Sequence, residues 1–276
     1  MFNSATTADA DRAIRAAERR KLPVPEDVYE AKRLQAAVFD AGRTPDPERP
    51  ALPATAAEAA AVIQQHAEAL RLADVTRRAA DLFTEEADQR FITATRDAVP
   101  KWIAGLVTEF TTLVAVVAKA AAKLPADPSL IEASRLDWNN PVHSAAYTKA
   151  EGAAAQLEQL INDRADIVSV AGGDGGRDNA LFAVAHFPQP TVQAVMDGDW
   201  QNMAPVLHDW RDLRQQPVAR WVYLVRQNQL TLSLATPGEV RERSAQVALW
   251  RDAGHAHRSA LSPRSAATYV TQVLSA

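Results

Sequence analysis

The chain predicts a mainly helical protein: an N-terminal helical arm, a long helical hairpin or bundle, and a small C-terminal α+β region containing one β-hairpin. Three observations carry this expectation. Residues 55–124 form an alanine-rich, helix-favouring run with a single proline, Pro100, inside it. Four prolines (Pro45, Pro47, Pro50 and Pro53) separate the first forty residues from that run as an extended, semi-rigid connector. The last third holds four of the six tryptophans and a short stretch of strand-like alternation. The divisions that follow are 1–53 for the arm and linker, 54–125 for the hairpin, 126–190 for a helical segment with a glycine-rich loop, and 191–276 for the α+β region.

The first helix is expected over residues 7–21, stopping before Leu22-Pro23. A second starts at Pro25, whose fixed φ suits a first helical position, with Glu26 and Asp27 favourable to the helix dipole. Gly42 is expected to end it as a left-handed cap. This arm is able to sit away from the body. The third helix opens with Thr55-Ala56-Ala57-Glu58, a capping box in which the threonine and glutamate satisfy two orphan backbone donors. Its inner stripe reads Val62, His66, Ala69, Ala73, Thr76, Ala80, Phe83, Ala87, Phe91, Ala94 and Ala98. Small residues at that spacing let helices approach closely. A break at Pro100 divides this helix from the next, which runs over residues 101–124.

Residues 102–118 are apolar, but Glu109 lies in the middle, where a charge opposes membrane insertion by about 2.5–3.5 kcal/mol. Gly105, Thr108, Glu109, Thr112, Lys119 and Lys123 make one polar stripe, so the segment reads as a core or interface helix with one wet edge. After Pro125-Ala126-Asp127-Pro128 a short helix is expected over 129–136, then a longer one over 142–162. Residues 167–171 fit either a strand or the end of that helix. Residues 221–225 and 230–234, joined through Gln227-Asn228, read as the two arms of a β-hairpin. Thr236-Pro237-Gly238-Glu239 then starts a helix expected to end near Gly254, and residues 265–274 form a last short one.

Composition excludes several function classes. The chain has 276 residues, a formal net charge of −4 and no cysteine, so disulfides, thiolate nucleophiles and cysteine-based metal sites are excluded. No global field recruits nucleic acid or an anionic membrane. Charge is uneven, with an acidic stretch over 127–178 and a basic excess over 211–258. Alanine makes up about a fifth of the chain and arginine outnumbers lysine, as in a high-GC genome, bacterial or phage. Residues 1–6 lack the regions of a signal peptide, which predicts a cytoplasmic protein, or a virion component if phage-encoded.

One segment, Asp166 to Gly176, carries a chemical motif: Ile167-Val168-Ser169-Val170-Ala171 followed by Gly172, Gly173, Asp174 and Gly175. It resembles the strand and Gly-Gly-Asp-Gly-Thr loop of diacylglycerol kinases and NAD kinases. That resemblance implies a nucleotide's phosphates against the glycine backbone and an aspartate that assists phosphoryl transfer. Gly176 stands where the family has threonine, and no second glycine-rich motif follows.

The remaining candidates are sparser. His255-Ala256-His257 lacks a third ligand at a recognisable spacing, and Glu85, Glu86 and Asp88 lack a histidine partner, so no metal or cofactor is expected. His66, His143, His186 and His208 are isolated. Arg211, Arg214, Arg220 and Arg226 interleave with Trp210, Trp221 and Tyr223, a pattern able to stack a single nucleic-acid strand. The leading functional expectation is a non-enzymatic structural or assembly protein, of the kind found in phage virions, acting through homo-oligomeric contacts or other protein subunits and without a membrane. Nucleotide-dependent phosphotransfer at the Gly-Gly-Asp-Gly loop and single-stranded nucleic-acid binding are the two alternatives.

Overall fold

A computed structural model describes residues 5–176 and 178–275. Among these residues there are eleven α-helices and one two-stranded antiparallel sheet, so the class is mainly α with one small β element. Helix α1 (Thr7–Arg19) is capped by Thr6, whose hydroxyl accepts from the Asp9 N–H while the Asp9 carboxylate accepts from the Thr6 N–H. Helix α2 (Glu26–Gly42) starts after Pro25. Gly42 is its last residue, and the cap is Arg43 at φ −104°, so no left-handed glycine ends it.

Helix α3 (Ala56–Ala121) is a single helix of 66 residues, about 100 Å at 1.5 Å per residue. Its capping box at Thr55 and Glu58 forms as expected. The break at Pro100 does not occur. An internal proline removes a backbone donor and crowds the carbonyl four residues back, at a cost of about 3 kcal/mol. Here Pro100 and Arg96 both lie on the exposed side, where that carbonyl can bond to water. Ile92, Val99, Trp102 and Ile103, buried to 3% exposure or less on either side of it, hold the helical course. Tertiary packing therefore overrides the local preference, and residues 54–125 do not fold back on themselves.

The partners of α3 come from elsewhere in the chain. Helix α2 lies along its first half, and helix α4 (Pro141–Val168) along its second. The N-terminal arm folds onto its own body. Ala10, Ala13, Ile14, Ala16 and Ala17 of α1 are buried in the common core. Arg19 donates to Asp163 at 3.0 and 2.7 Å and to Asp166 at 2.9 Å, while Arg20 bonds both Asp163 and Glu109, the latter at 2.8 Å. The wet edge expected on α3 is real, and its glutamate is the partner of Arg20.

The helix expected over 129–136 reduces to a single 3-10 turn, Pro128–Leu130, with turns after it. Residues 167–171 are the end of α4 and a 3-10 turn, not a strand. Short helices follow: α5 (Asn179–Phe182), α6 (Val192–Met196), α7 (Asp199–Met203), α8 (Val206–Asp212) and α9 (Pro217–Val225). Strand β2 (Thr231–Leu232) pairs with β1 (Ala185–His186), not with residues 221–225. The apolar run Trp221–Val225 is helical because Pro217 starts a turn whose residues bury Val218, Ala219, Trp221, Val222 and Leu224 on nearly all sides. An all-round buried helix has no polar period to read.

Helix α10 (Pro237–Ser259) begins with the expected Thr236–Glu239 capping box and passes straight through Gly254. A Cβ on Gly254 would lie 3.2 Å from Trp200, whose ring stacks on Trp250 at 6.1 Å. That glycine serves a close approach rather than a helix end. Helix α11 (Pro263–Ser275) closes the described chain. One connected hydrophobic core runs from Ala10 to Val270.

Candidate functional site

The glycine loop joins the 3-10 turn after α4 to α5. Gly172, Gly173, Gly175 and Gly176 all take left-handed backbone angles, φ between +55° and +88°, which non-glycine residues rarely adopt. Asp174 lies at the centre, and its carboxylate is taken. The Arg164 guanidinium, 1% exposed, donates to both of its oxygens, one at 3.0 Å, and also bonds the Ala235 carbonyl at 2.9 Å through Nε. The Asn179 amide bonds the Asp174 carbonyl. The loop thus supplies a counter-ion to a buried arginine and ties α4 to the segment entering α10. The segment before it is helical, unlike the strand of the kinase loop it resembles.

The basic and aromatic residues of 210–226 come together as a structural node rather than as an open platform. Trp210 and Trp221 are 2% and 0% exposed and meet edge to face at 5.2 Å, with Phe110 against the other side of Trp221 at 6.2 Å. Glu158 accepts from the Trp221 Nε1 at 2.9 Å and from Arg220 at 3.2 Å. The Arg220 guanidinium sits 3.5 Å above the Trp210 ring and donates to the Trp210 carbonyl at 3.0 Å. Burial lowers the Arg220 pKa, opposed by Glu158. Burial also raises the Tyr223 phenol strongly, reinforced by its bond to Asp209. Arg226 points elsewhere, onto the Ala121 carbonyl at the end of α3 and the Leu124, Pro125 and Ala126 carbonyls that follow.

A cleft of about 650 Å³ borders this node, lined in part by Glu158, Asp178, Arg211, Arg214 and Arg220. Its carboxylates pair with its own arginines, Arg211 with Asp178 at 3.6 Å and Arg220 with Glu158. The histidines stay apart: His186 bonds Gln246 at 2.9 Å, His208 meets Arg211 at 2.7 Å, and His255 and His257 lie on α10. Among the described residues no group of three or more His, Asp or Glu side chains is placed to hold a metal ion. Asp88 accepts from Gln35 of α2 at 3.1 Å.

The feature that sequence reasoning missed lies on the first half of α3. Ala73, Ala80 and Ala87 of the inner stripe are buried, but Phe83, assigned to that stripe, is 56% exposed, and Val62 and His66 are half-buried. Beside the stripe runs a second one, Leu72, Val75, Ala79 and Leu82, whose leucines are 69% and 80% exposed. Its spacing of three, four and three residues puts it on one side of the helix, roughly 120° around the axis from the buried alanine line at 3.6 residues per turn. The signal was present as a heptad-like repeat displaced from the alanines, and the denser alanine pattern obscured it.

The same flank continues as Ala104, Thr108, Thr111, Ala115 and Ala118, all exposed. Helix α3 contains an 18-residue window of mean hydropathy 1.6, long and apolar enough to cross a membrane, and 33% of that window is buried in the fold. No family model, no curated protein and no solved structure matches this chain.

Proposed function

We propose that this chain is a non-enzymatic assembly protein that works by presenting the open flank of α3 to other protein subunits, including copies of itself. The observation that carries the reading is the exposed stripe Leu72, Val75, Ala79 and Leu82 on a helix segment whose other side meets α2 and the linker after it. Contiguous exposed apolar surface of this kind marks protein contact sites more often than isolated surface leucines do. The Asp174 carboxylate, engaged by Arg164, supports the same reading, because it gives the glycine loop a structural role. A virion or similar particle component is the setting in which such a subunit would act, and the cytoplasm is where it would be made.

The apolar window of α3 is read as a core helix, since one face is buried and Glu109 within it is ion-paired with Arg20. The deciding measurement is molar mass by light scattering coupled to size exclusion at two protein concentrations, beside a nucleotide melt with ATP and Mg²⁺. A discrete oligomer with no nucleotide shift supports the assembly reading. A monomer at every concentration whose melting temperature rises with millimolar nucleotide, and loses that rise in Asp174→Asn, replaces it with the phosphotransferase alternative.

A further inference from the structure

The stripe on α3 has charges that say how a second copy would meet it, and this inference rests on the assembly reading above. We infer that two copies pair antiparallel along this stripe, with Leu72 of each opposite Leu82 of the other and Val75 opposite Ala79. In heptad terms Leu72 and Ala79 are a-type positions and Val75 and Leu82 d-type. The residue preceding each a position flanks the seam, which places Arg71, Arg78 and Glu85 along one edge. In the antiparallel register Arg71 of one copy faces Glu85 of the other, twice per dimer. Neither residue forms an ion pair among the described residues. Arg78 falls near the two-fold axis and brings its own counter-ion, Asp74, at 2.9 Å on the same helix. Glu68 and Glu86 face each other across both ends of this register, and their mutual repulsion ends the seam there, confining it to four layers about 15 Å long at 1.5 Å per residue.

A parallel pairing satisfies less. It sets Ala79 against Ala79, leaving a gap between the Val75 and Leu82 layers, and it turns Arg71 towards Thr76, so that its one opposite-charge flank, Glu85 with Arg90, lies beyond the apolar layers. It also puts both bodies side by side. The antiparallel register brings the second copy's Phe91, where the body begins, level with Ile63, so the two bodies lie at opposite ends. The seam is short, at the low end of specific interfaces, so dissociation in the micromolar range is expected.

The chain has no cysteine, which allows a direct test on the full-length protein. Leu72→Cys and Leu82→Cys are each made alone; both sites are exposed, so folding should be unchanged, as thermal melts would verify. A short bis-maleimide cross-linker should join an equimolar mixture of the two variants into covalent dimers and leave each variant alone as monomer. Arg71→Glu should weaken dimerisation at least ten-fold by light scattering, and Arg71→Glu with Glu85→Arg should restore it. Cross-linking of Leu72→Cys by itself would overturn the antiparallel register while leaving the assembly reading intact. A dimer that cross-links in no combination would show that another surface is used. A wild-type chain that stays monomeric at hundreds of micromolar would end both this inference and the homo-oligomeric part of the assembly reading.

Discussion

The two halves of α3 share an alanine-rich composition and end in opposite surroundings. Leu72 and Leu82 in the first half are 69% and 80% exposed, whereas Phe91, Trp102 and Phe110 further along are each 1% exposed. Helical periodicity is present in both. What differs is the company: the second half packs among several helices of the body, with Phe110 against Trp221 of α9 and Glu109 held by Arg20 after α1, while the first half meets α2 and the linker that follows it, through Gln35, Thr44 and Asp46. An amphipathic pattern states which side of a helix is apolar, and the rest of the chain decides which apolar side is covered. The first half is thus a surface element with a helix's interior chemistry, and the second is a core element with a surface helix's wet edge.

That contrast can be broken or sharpened by mutation. The largest effect belongs to the body. Trp221→Ala removes contacts to Phe110 and Trp210 and the Nε1 bond to Glu158, and should cost about 3–5 kcal/mol in urea unfolding. Leu82→Ala in the exposed half should stay within about 0.5 kcal/mol. If the two costs were similar, the division between the halves would be wrong.

Ion pairs sharpen it next. Asp174→Asn leaves the buried Arg164 without its counter-charge and should destabilise by about 2–3 kcal/mol, measured as a shift in denaturant midpoint. Asp46→Ala removes a partner of Arg77 whose side chains are 64% and 31% exposed, and should change stability by less than about 0.5 kcal/mol. The two capping boxes make a finer comparison. Thr236→Ala, at the start of a helix inside the body, should cost about 1 kcal/mol. Thr55→Ala has the same chemistry at the far tip of α3, where fraying is local, so global unfolding should not register it.

Acid gives the smallest effect. The backbone N–H of Thr236 holds the Glu239 carboxyl below its ordinary value of 4.5, and the Thr6 hydroxyl does the same for Asp9. A carboxyl depressed in the folded state contributes stability above its unfolded pKa and loses it as pH falls through the folded one. Stability should therefore decline as pH drops below about 4.5. In Glu239→Gln, which cannot titrate, that acid decline should be shallower, and an unchanged slope would remove Glu239 from the account.

The helical class was legible because capping chemistry is local: Thr55 with Glu58 and Thr236 with Glu239 name their helix starts within four residues. Pro100 misled because its penalty is also local, whereas the packing of Trp102 and Val99 that overrides it comes from α1 and α4. Trp221–Val225 misled for the converse reason, since a short run buried on all sides shows neither period. The Gly-Gly-Asp-Gly loop was located, but its role depends on Arg164, ten residues earlier on a helix face that sequence alone does not orient. The exposed stripe was hidden by the more regular alanine line next to it.

The two ends of α3 are finished at different times. Its first turn is capped by Thr55 and Glu58, its own neighbours. Its last carbonyl, Ala121, and those of Leu124, Pro125 and Ala126 just beyond, accept from the Arg226 guanidinium at 2.7–3.0 Å. At about 5–20 residues per second, the stretch from Ala126 to Arg226 takes roughly 5–20 s to leave the ribosome. During that interval the tryptophan-rich region that will enclose α3 does not yet exist, and the nascent helix shows water both its open flank and the side destined for the core. The order of synthesis therefore leaves both apolar sides of this helix open through that interval, and a chaperone acting on the emerging chain would find them together.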